Sequence, residues 1–185
     1  MAIASVGTLD QSKAVFFASE NLVARWYAAY TSANHEKKVA EQLTVREVDY
    51  FLPLYSSVRK WKDRRVVLQL PLFPGYVFVR IGLEERIRVQ QVPGVACLVG
   101  FSGRPAALPD EQIEALRNGL ASGVGAKPHP YLTVGRRVRL KSGPFCGMQG
   151  IVLRRKGNFR VVVSMELIQR SVAVDADAAD LEALH

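Results

Sequence analysis

Between positions 59 and 65 the chain reads Arg-Lys-Trp-Lys-Asp-Arg-Arg, five cations in seven residues around one indole. Guanidinium and ammonium groups pair with phosphates, and an aromatic ring beside them can stack on an exposed base. Arg59, Lys60, Trp61, Lys62, Arg64 and Arg65 are therefore candidate contacts to exposed DNA. The same run also reads as the tip of a soluble hairpin, charged so that its edges do not pair with other chains.

Residues of covalent and metal chemistry are sparse. Of three histidines, His35, His129 and His185, one falls in a Gly/Pro-rich stretch and one ends the sequence. Cys97 and Cys146 lie 49 positions apart with no Cys-x-x-Cys spacing, which gives neither a disulfide framework nor a four-ligand zinc site. No HExxH, GxSxG or phosphate-binding loop occurs. The chain reads as a binding protein rather than an enzyme, with no cofactor and no metal.

The charge fits that reading. The formal net charge is +8, and residues 1–131 carry 16 basic and 12 acidic side chains against 9 and 5 in residues 132–185. Each part is thus about +4, a distributed field that favours approach to polyanions or acidic surfaces without choosing between them. With 49% hydrophobic and 23% charged residues the composition is that of a globular protein. No apolar run approaches the ~20 residues that span a bilayer. Ala14-Val15-Phe16-Phe17-Ala18 is too short for a secretory core. Residues 1–22 are expected to be a loosely ordered extension of a cytoplasmic, membrane-free protein that needs to be no more than a monomer.

The elements that must position these residues divide at 121–131, Ala-Ser-Gly-Val-Gly-Ala-Lys-Pro-His-Pro-Tyr, which reads as a flexible linker. Residues 23–120 alternate strands and helices. Arg25–Thr31 has strand composition, and a helix is expected from Ser32 or Asn34, both good caps, to about Arg46. Asp49–Tyr55 and Val66–Leu70 read as extended. Tyr76–Ile81 alternates, with Tyr76, Phe78 and Arg80 on one face. A short helix (about 84–91) precedes the turn Val92-Pro93-Gly94-Val95. Pro109, Asp110 and Glu111 open a last helix whose apolar side is Ile113, Leu116 and Leu120. Residues 132–185 hold short strands at Val138–Leu140, Gly150–Arg155, Phe159–Ser164 and Ser171–Asp175, with a hairpin at Gly157-Asn158. Val138, Leu140, Ile151, Leu153, Val161 and Val163 should fill a small antiparallel barrel. The fold class is α+β: an N-terminal α/β sandwich with an antiparallel sheet, a linker, and a small C-terminal β-barrel.

Two sets of motifs carry a family resemblance. Arg25-Trp26-Tyr27, Phe73-Pro74-Gly75-Tyr76-Val77-Phe78-Val79 and Pro93-Gly94-Val95 resemble the N-terminal domain of NusG-type transcription factors. Val134-Gly135-Arg136-Arg137-Val138-Arg139, Gly143-Pro144-Phe145 and Gly150-Ile151-Val152 resemble their C-terminal SH3-like KOW domain. The resemblance implies a transcription elongation factor that suppresses pausing and modulates termination or antitermination. It implies that Tyr30, Phe73, Pro74, Tyr76, Phe78, Phe101, Ile113 and Leu116 grip the clamp helices of RNA polymerase, although Tyr30, Phe78 and Ile113 suit a core equally well. Glu85, Arg86 and Ile87 align with a second polymerase contact, but lack the threonines typical of it and read also as a solvated helix face. Nontemplate DNA is the nucleic acid that the cationic run would meet.

For the KOW part the resemblance implies docking of a small-subunit ribosomal protein or the termination factor Rho, through Met165, Leu167, Ile168 and Arg170. Apolar side chains in such a loop need a cover, either a partner or the neighbouring domain, unless Met165 and Ile168 tuck into the barrel. Gln169–Asp175 looks more like operon-specific paralogues than the housekeeping pattern. Some specialised members refold this domain between helices and a barrel. Here the β-branched run Phe159–Ser164 predicts the barrel as the resting state. The alternative function is an RNA-binding or ribosome-associated protein, with Arg136, Arg137, Arg139, Lys141, Arg154 and Arg155 on phosphates.

Overall fold

The computed structural model describes residues 22–61, 64–123, 125–129, 135, 137–154 and 159–184. The expected extension up to residue 21, Lys62, Arg136, Arg155 and the Gly157-Asn158 turn lie outside the described residues.

Strand β1 (Arg25–Thr31) is the centre of the N-terminal unit. Its alternation sends Tyr27 and Ala29 to one side and Trp26 and Ala28 to the other, and all four are buried. A strand apolar on both faces must be covered on both, and this one is. It pairs antiparallel with β5 (Tyr76–Ile81) and β6 (Val95–Leu98), and β2 (Asp49–Phe51) completes a four-stranded sheet in the order β2-β5-β1-β6.

One face packs Val39 and Leu43 of α1 (Glu36–Val45) and Val89 of α2 (Arg86–Gln90) against Tyr27, Val77 and Val79. The other packs Ile113 and Leu116 of α3 (Asp110–Ala121) against Trp26 and Phe78. Helix α1 starts later than Ser32 suggested. Ser32 N–H donates to Gly94 O at 2.8 Å, and Asn34 takes a positive φ of 60°, which no α-helix continues. His35 occupies the cap position without a side-chain cap bond. Pro109 precedes α3 in an extended conformation rather than being its first residue.

Strands β3 (Leu54–Trp61) and β4 (Arg64–Pro71) form a separate two-stranded ribbon of eight residues a side. The sequence had suggested two shorter segments around a charged stretch; the charged stretch is the ribbon's end. A second small hairpin, β7 (Gly100–Phe101) and β8 (Arg104–Pro105), was not anticipated.

The C-terminal unit is a six-stranded antiparallel sheet built from residues 126–183. The four expected strands appear as β10 (Arg137–Leu140), β11 (Gln149–Arg154), β12 (Phe159–Met165) and β13 (Arg170–Ala176). Val138, Leu140, Ile151, Val161 and Val163 are buried, while Leu153 is only half-buried. The region 149–165 is strand wherever it is described, in line with the barrel as resting state. Two edge strands are additional: β14 (Leu181–Ala183) and β9 (Ala126–His129). The latter falls inside the stretch expected to be a flexible linker. It pairs with β13, Val172 opposite Pro128, and proline is tolerated because β9 is an edge.

Candidate functional site

The Phe73-Pro74-Gly75-Tyr76 turn is built to hold its neighbours still. Tyr76 N–H donates to Phe73 O at 3.1 Å across a Pro-Gly centre, with Gly75 at φ 85°. That is the type II geometry in which proline fits the second position and glycine the third. The turn is tied from outside as well. Gly75 N–H donates to the buried Glu36 carboxylate at 2.7 Å, and Thr31 N–H donates to Gly75 O at 2.8 Å. The positive φ is what favours glycine here; a Cβ would in addition stand a tight 3.3 Å from the Tyr30 ring.

So anchored, the turn sends Phe73 inward and presents Tyr76 at the rim. Phe73 meets Phe78 edge-on, with ring centroids 5.7 Å apart. Tyr76 meets Tyr30 at 5.4 Å. Pro74 is exposed, Tyr30 is 44% exposed and Phe101, on the β7–β8 hairpin, is 70% exposed. Phe73, Phe78, Ile113 and Leu116 are each at most 1% exposed. The eight candidate residues thus divide into an accessible rim and a buried floor.

The floor is covered by the C-terminal unit. Leu72, Phe73, Phe78, Leu108, Ile113 and Leu116 share one continuous buried cluster with Phe145, Met148, Met165 and Ile168. Phe145 lies so close to α3 that a Cβ added to Gly119 would stand 2.1 Å from its ring. Arg170 sets its guanidinium 5.6 Å from the centroid of the Tyr76 ring. An open cavity of about 440 Å³ runs between Phe101, Leu108 and Gln112 on one side and Met148, Ile151 and Leu167 on the other. Met165 and Ile168, two apolar residues of the loop that needed a cover, are buried in the joint cluster.

Sequence reasoning missed Gly119, Phe145 and Met148. Phe145 carried a signal, since an aromatic between Gly143-Pro144 and Gly147 is costly to leave in water. Gly119 is a helix-interior glycine, a choice that weakens a helix unless close packing requires it.

The remaining candidates lie elsewhere. Glu85, Arg86 and Ile87 belong to the turn and helix on the opposite face of the sheet, where Val89 joins the other cluster. Glu85 accepts from Arg88 at 2.7 Å, and Ile87 is 53% exposed. Arg59, Lys60, Arg64 and Arg65 are exposed on the β3–β4 ribbon. Arg137, Arg139 and Lys141 are exposed on and beside β10, with Arg139 opposite Glu182. Among the described residues no group of three or more His, Cys, Asp or Glu side chains could hold a metal ion. No described helix is long and apolar enough to cross a membrane.

Comparison with known proteins bears on this geometry. Residues 24–117 match the family model described as transcription termination factor nusG. The chain is similar to the transcription termination/antitermination protein NusG of Escherichia coli strain K12, 28% identical over 173 residues, which cover 85% of this chain and 95% of that one. It is also similar to the protein of the same description from Rickettsia prowazekii strain Madrid E, 25% identical over 172 residues, 85% of this chain and 89% of that one. Its fold is similar to that of Thermotoga maritima NusG, described for its domain interaction, with a TM-score of 0.54, 22% identity, and 89% and 99% of the two chains covered.

Proposed function

The chain belongs to the NusG family, whose model spans residues 24–117 of its 185, and from that premise we propose that it is a transcription termination/antitermination factor that binds RNA polymerase through its N-terminal unit. The observation that carries the reading is the anchored Phe73-Pro74-Gly75-Tyr76 turn, which holds an aromatic rim over an apolar floor. Such a face is suited to a coiled-coil helix pair, with Tyr30 and Tyr76 as anchors and Phe73, Phe78, Ile113 and Leu116 beneath. Holding the polymerase clamp favours its closed, active state. A factor that binds that state better than the paused one suppresses pausing by differential affinity.

The C-terminal unit and polymerase compete for one surface in this reading. Polymerase engages only when Phe145, Met148, Met165 and Ile168 have lifted from the floor, so its apparent affinity is reduced by the fraction of molecules that are open. Opening also frees Met165, Leu167, Ile168 and Arg170 to dock a small-subunit ribosomal protein or Rho. Each partner then favours the conformation the other needs, which gives positive coupling between them. Glu85, Arg86 and Ile87, on the far side of the sheet, are free to make a second polymerase contact at the same time.

The test is a pull-down of purified RNA polymerase with wild-type protein and with Tyr30→Ala plus Tyr76→Ala. Both substitutions spare the buried floor, and Phe73→Ala serves as a second variant once its fold is verified. Binding by wild type and its loss in the folded rim variant supports the reading. Failure of wild type to bind, even after Gly119→Ala has loosened the cover, overturns it, and RNA or ribosome binding by the C-terminal unit takes its place.

A further inference from the structure

The β3–β4 ribbon stands apart from both buried clusters over its outer half, and its charge is unbalanced in a specific way. Register pairing places Val58 opposite Val67 and Lys60 opposite Arg65 on one face, with Arg59 and Arg64 on the other. Val58 and Val67 are 64% and 61% exposed. Neither strand contains an aspartate or glutamate, and none of the four cations pairs with a described carboxylate. Two cations directly opposite each other across a ladder destabilise it. The ribbon therefore presents a local repulsion that an external anion would relieve.

Charge on both faces selects among anions. An acidic protein patch is met by one face of a ribbon and leaves the other face's cations in water. A nucleic-acid groove surrounds the ribbon, because both of its walls are phosphate backbones. Strands are about 4.8 Å apart, so a two-stranded ribbon with its side chains fits the B-form major groove of about 12 Å. The A-form major groove is deep and narrow and does not admit one.

We infer that the β3–β4 ribbon inserts into the major groove of duplex DNA. The Val58/Val67 and Lys60/Arg65 face meets the base edges, where valine methyls suit thymine methyl groups, and Arg59 and Arg64 reach back to the phosphate walls. The inference rests on the transcription-factor reading for its choice of DNA. It differs from a contact with an unpaired strand in demanding two phosphate walls.

The experiment measures equilibrium binding of the full chain, by fluorescence anisotropy, to labelled duplex DNA, duplex RNA and single-stranded DNA of equal length, across a series of salt concentrations. Duplex DNA is expected to bind most tightly. Arg59→Gln with Arg64→Gln, both exposed and so tolerated by the fold, should weaken duplex binding about tenfold or more and lower the log–log salt slope by about 2, since these two meet the phosphate walls. Val58→Ser with Val67→Ser should weaken it severalfold with an unchanged slope, since no charge is removed. Equal or tighter binding to duplex RNA or single strands overturns the inference, and so does a Gln variant that binds like wild type. No polymerase is present, so failure here leaves the polymerase contact standing. Failure of the pull-down in turn leaves this measurement intact.

Discussion

Arg170 of β13 lies over the ring of Tyr76 at the start of β5, 5.6 Å from its centroid, and so the two units of the chain meet through residues that each suit a different partner. The sequence offered Tyr76 to polymerase and Arg170 to a ribosomal protein or Rho; in the folded chain they occupy each other. A cation–π contact at a part-exposed site contributes about 0.5–1 kcal/mol. Arg170→Ala should therefore shift the balance toward separated units and raise polymerase affinity roughly two- to fivefold. Tyr76→Ala also removes the contact, yet should lower affinity. Titration of both variants against purified polymerase checks the opposite signs.

A sharper lever is the pair Gly119 and Phe145. A methyl group at 119 would sit 2.1 Å from the Phe145 ring, closer than any real contact. Within α3 itself alanine is the better residue by about 1 kcal/mol. Gly119→Ala should thus strengthen the helix while expelling Phe145, whose burial contributes about 1.5–3 kcal/mol. The expected result is a larger radius of gyration by small-angle scattering, with an N-terminal unit as stable as before or more so. An unchanged radius would show that Phe145 relaxes in place and is no latch.

How much of this was legible in the sequence varies with the physics involved. Strands β1 and β5 were read to the residue, β1 from its aromatic, strand-forming composition and β5 from its alternation, because both are local properties. The C-terminal strands β10 to β13 followed for the same reason. Strand β9 was not, since Ala126-Lys127-Pro128-His129 has no alternation of its own and is extended only because β13 offers it a ladder. The start of α1 was misplaced because Asn34 takes a positive φ of 60°, which interrupts any helix begun at Ser32, a backbone choice with no periodic signature. Of the residues that the resemblance assigned to polymerase, Tyr30, Phe73, Tyr76, Phe78, Ile113 and Leu116 lie together in the folded chain. Their cover was not identified, because the fit of Phe145 to Gly119 is a matter of shape between distant elements and leaves no periodic trace.

Tyr27 gives a pH test of the sheet's other face. Burial holds its phenol above the ordinary value of 10.0, against a smaller opposing pull from the Arg25 charge. The folded state thus favours the neutral ring. Stability linked to it is fully present below pH 10 and is lost as pH rises beyond, where the unfolded chain ionises first. Denaturant midpoints should be flat with respect to this group up to about pH 9 and fall above about pH 10. Tyr27→Phe should show a shallower fall.

Thr31 carries an uncompensated cost. Its hydroxyl is buried and, among the described residues, has no hydrogen-bond partner, while its backbone N–H serves the Gly75 turn. Thr31→Val keeps the shape and the strand propensity and removes the orphaned hydroxyl. It should raise stability by up to about 1–2 kcal/mol. A lower melting temperature for the variant would mean that the hydroxyl has a partner after all.

Glu36 tests whether the turn's anchoring matters for binding as well as for folding. Its carboxylate is 4% exposed and accepts the Gly75 N–H at 2.7 Å, an interaction across 39 positions that fixes where Tyr76 enters β5. Glu36→Ala leaves that N–H buried without an acceptor, at a cost of about 1–3 kcal/mol. For a domain of this size each kcal/mol lowers the melting temperature by about 4–8 °C. Glu36→Gln retains an acceptor oxygen in the same place and should recover most of the loss. If the turn positions Tyr76 for polymerase, Glu36→Ala should also weaken polymerase binding at temperatures where it remains folded, and Glu36→Gln should restore it. Equal polymerase affinity for wild type and folded Glu36→Ala would separate the two effects. The Glu36–Gly75 bond would then stabilise the fold, with Tyr76 positioned by the Tyr30 ring instead.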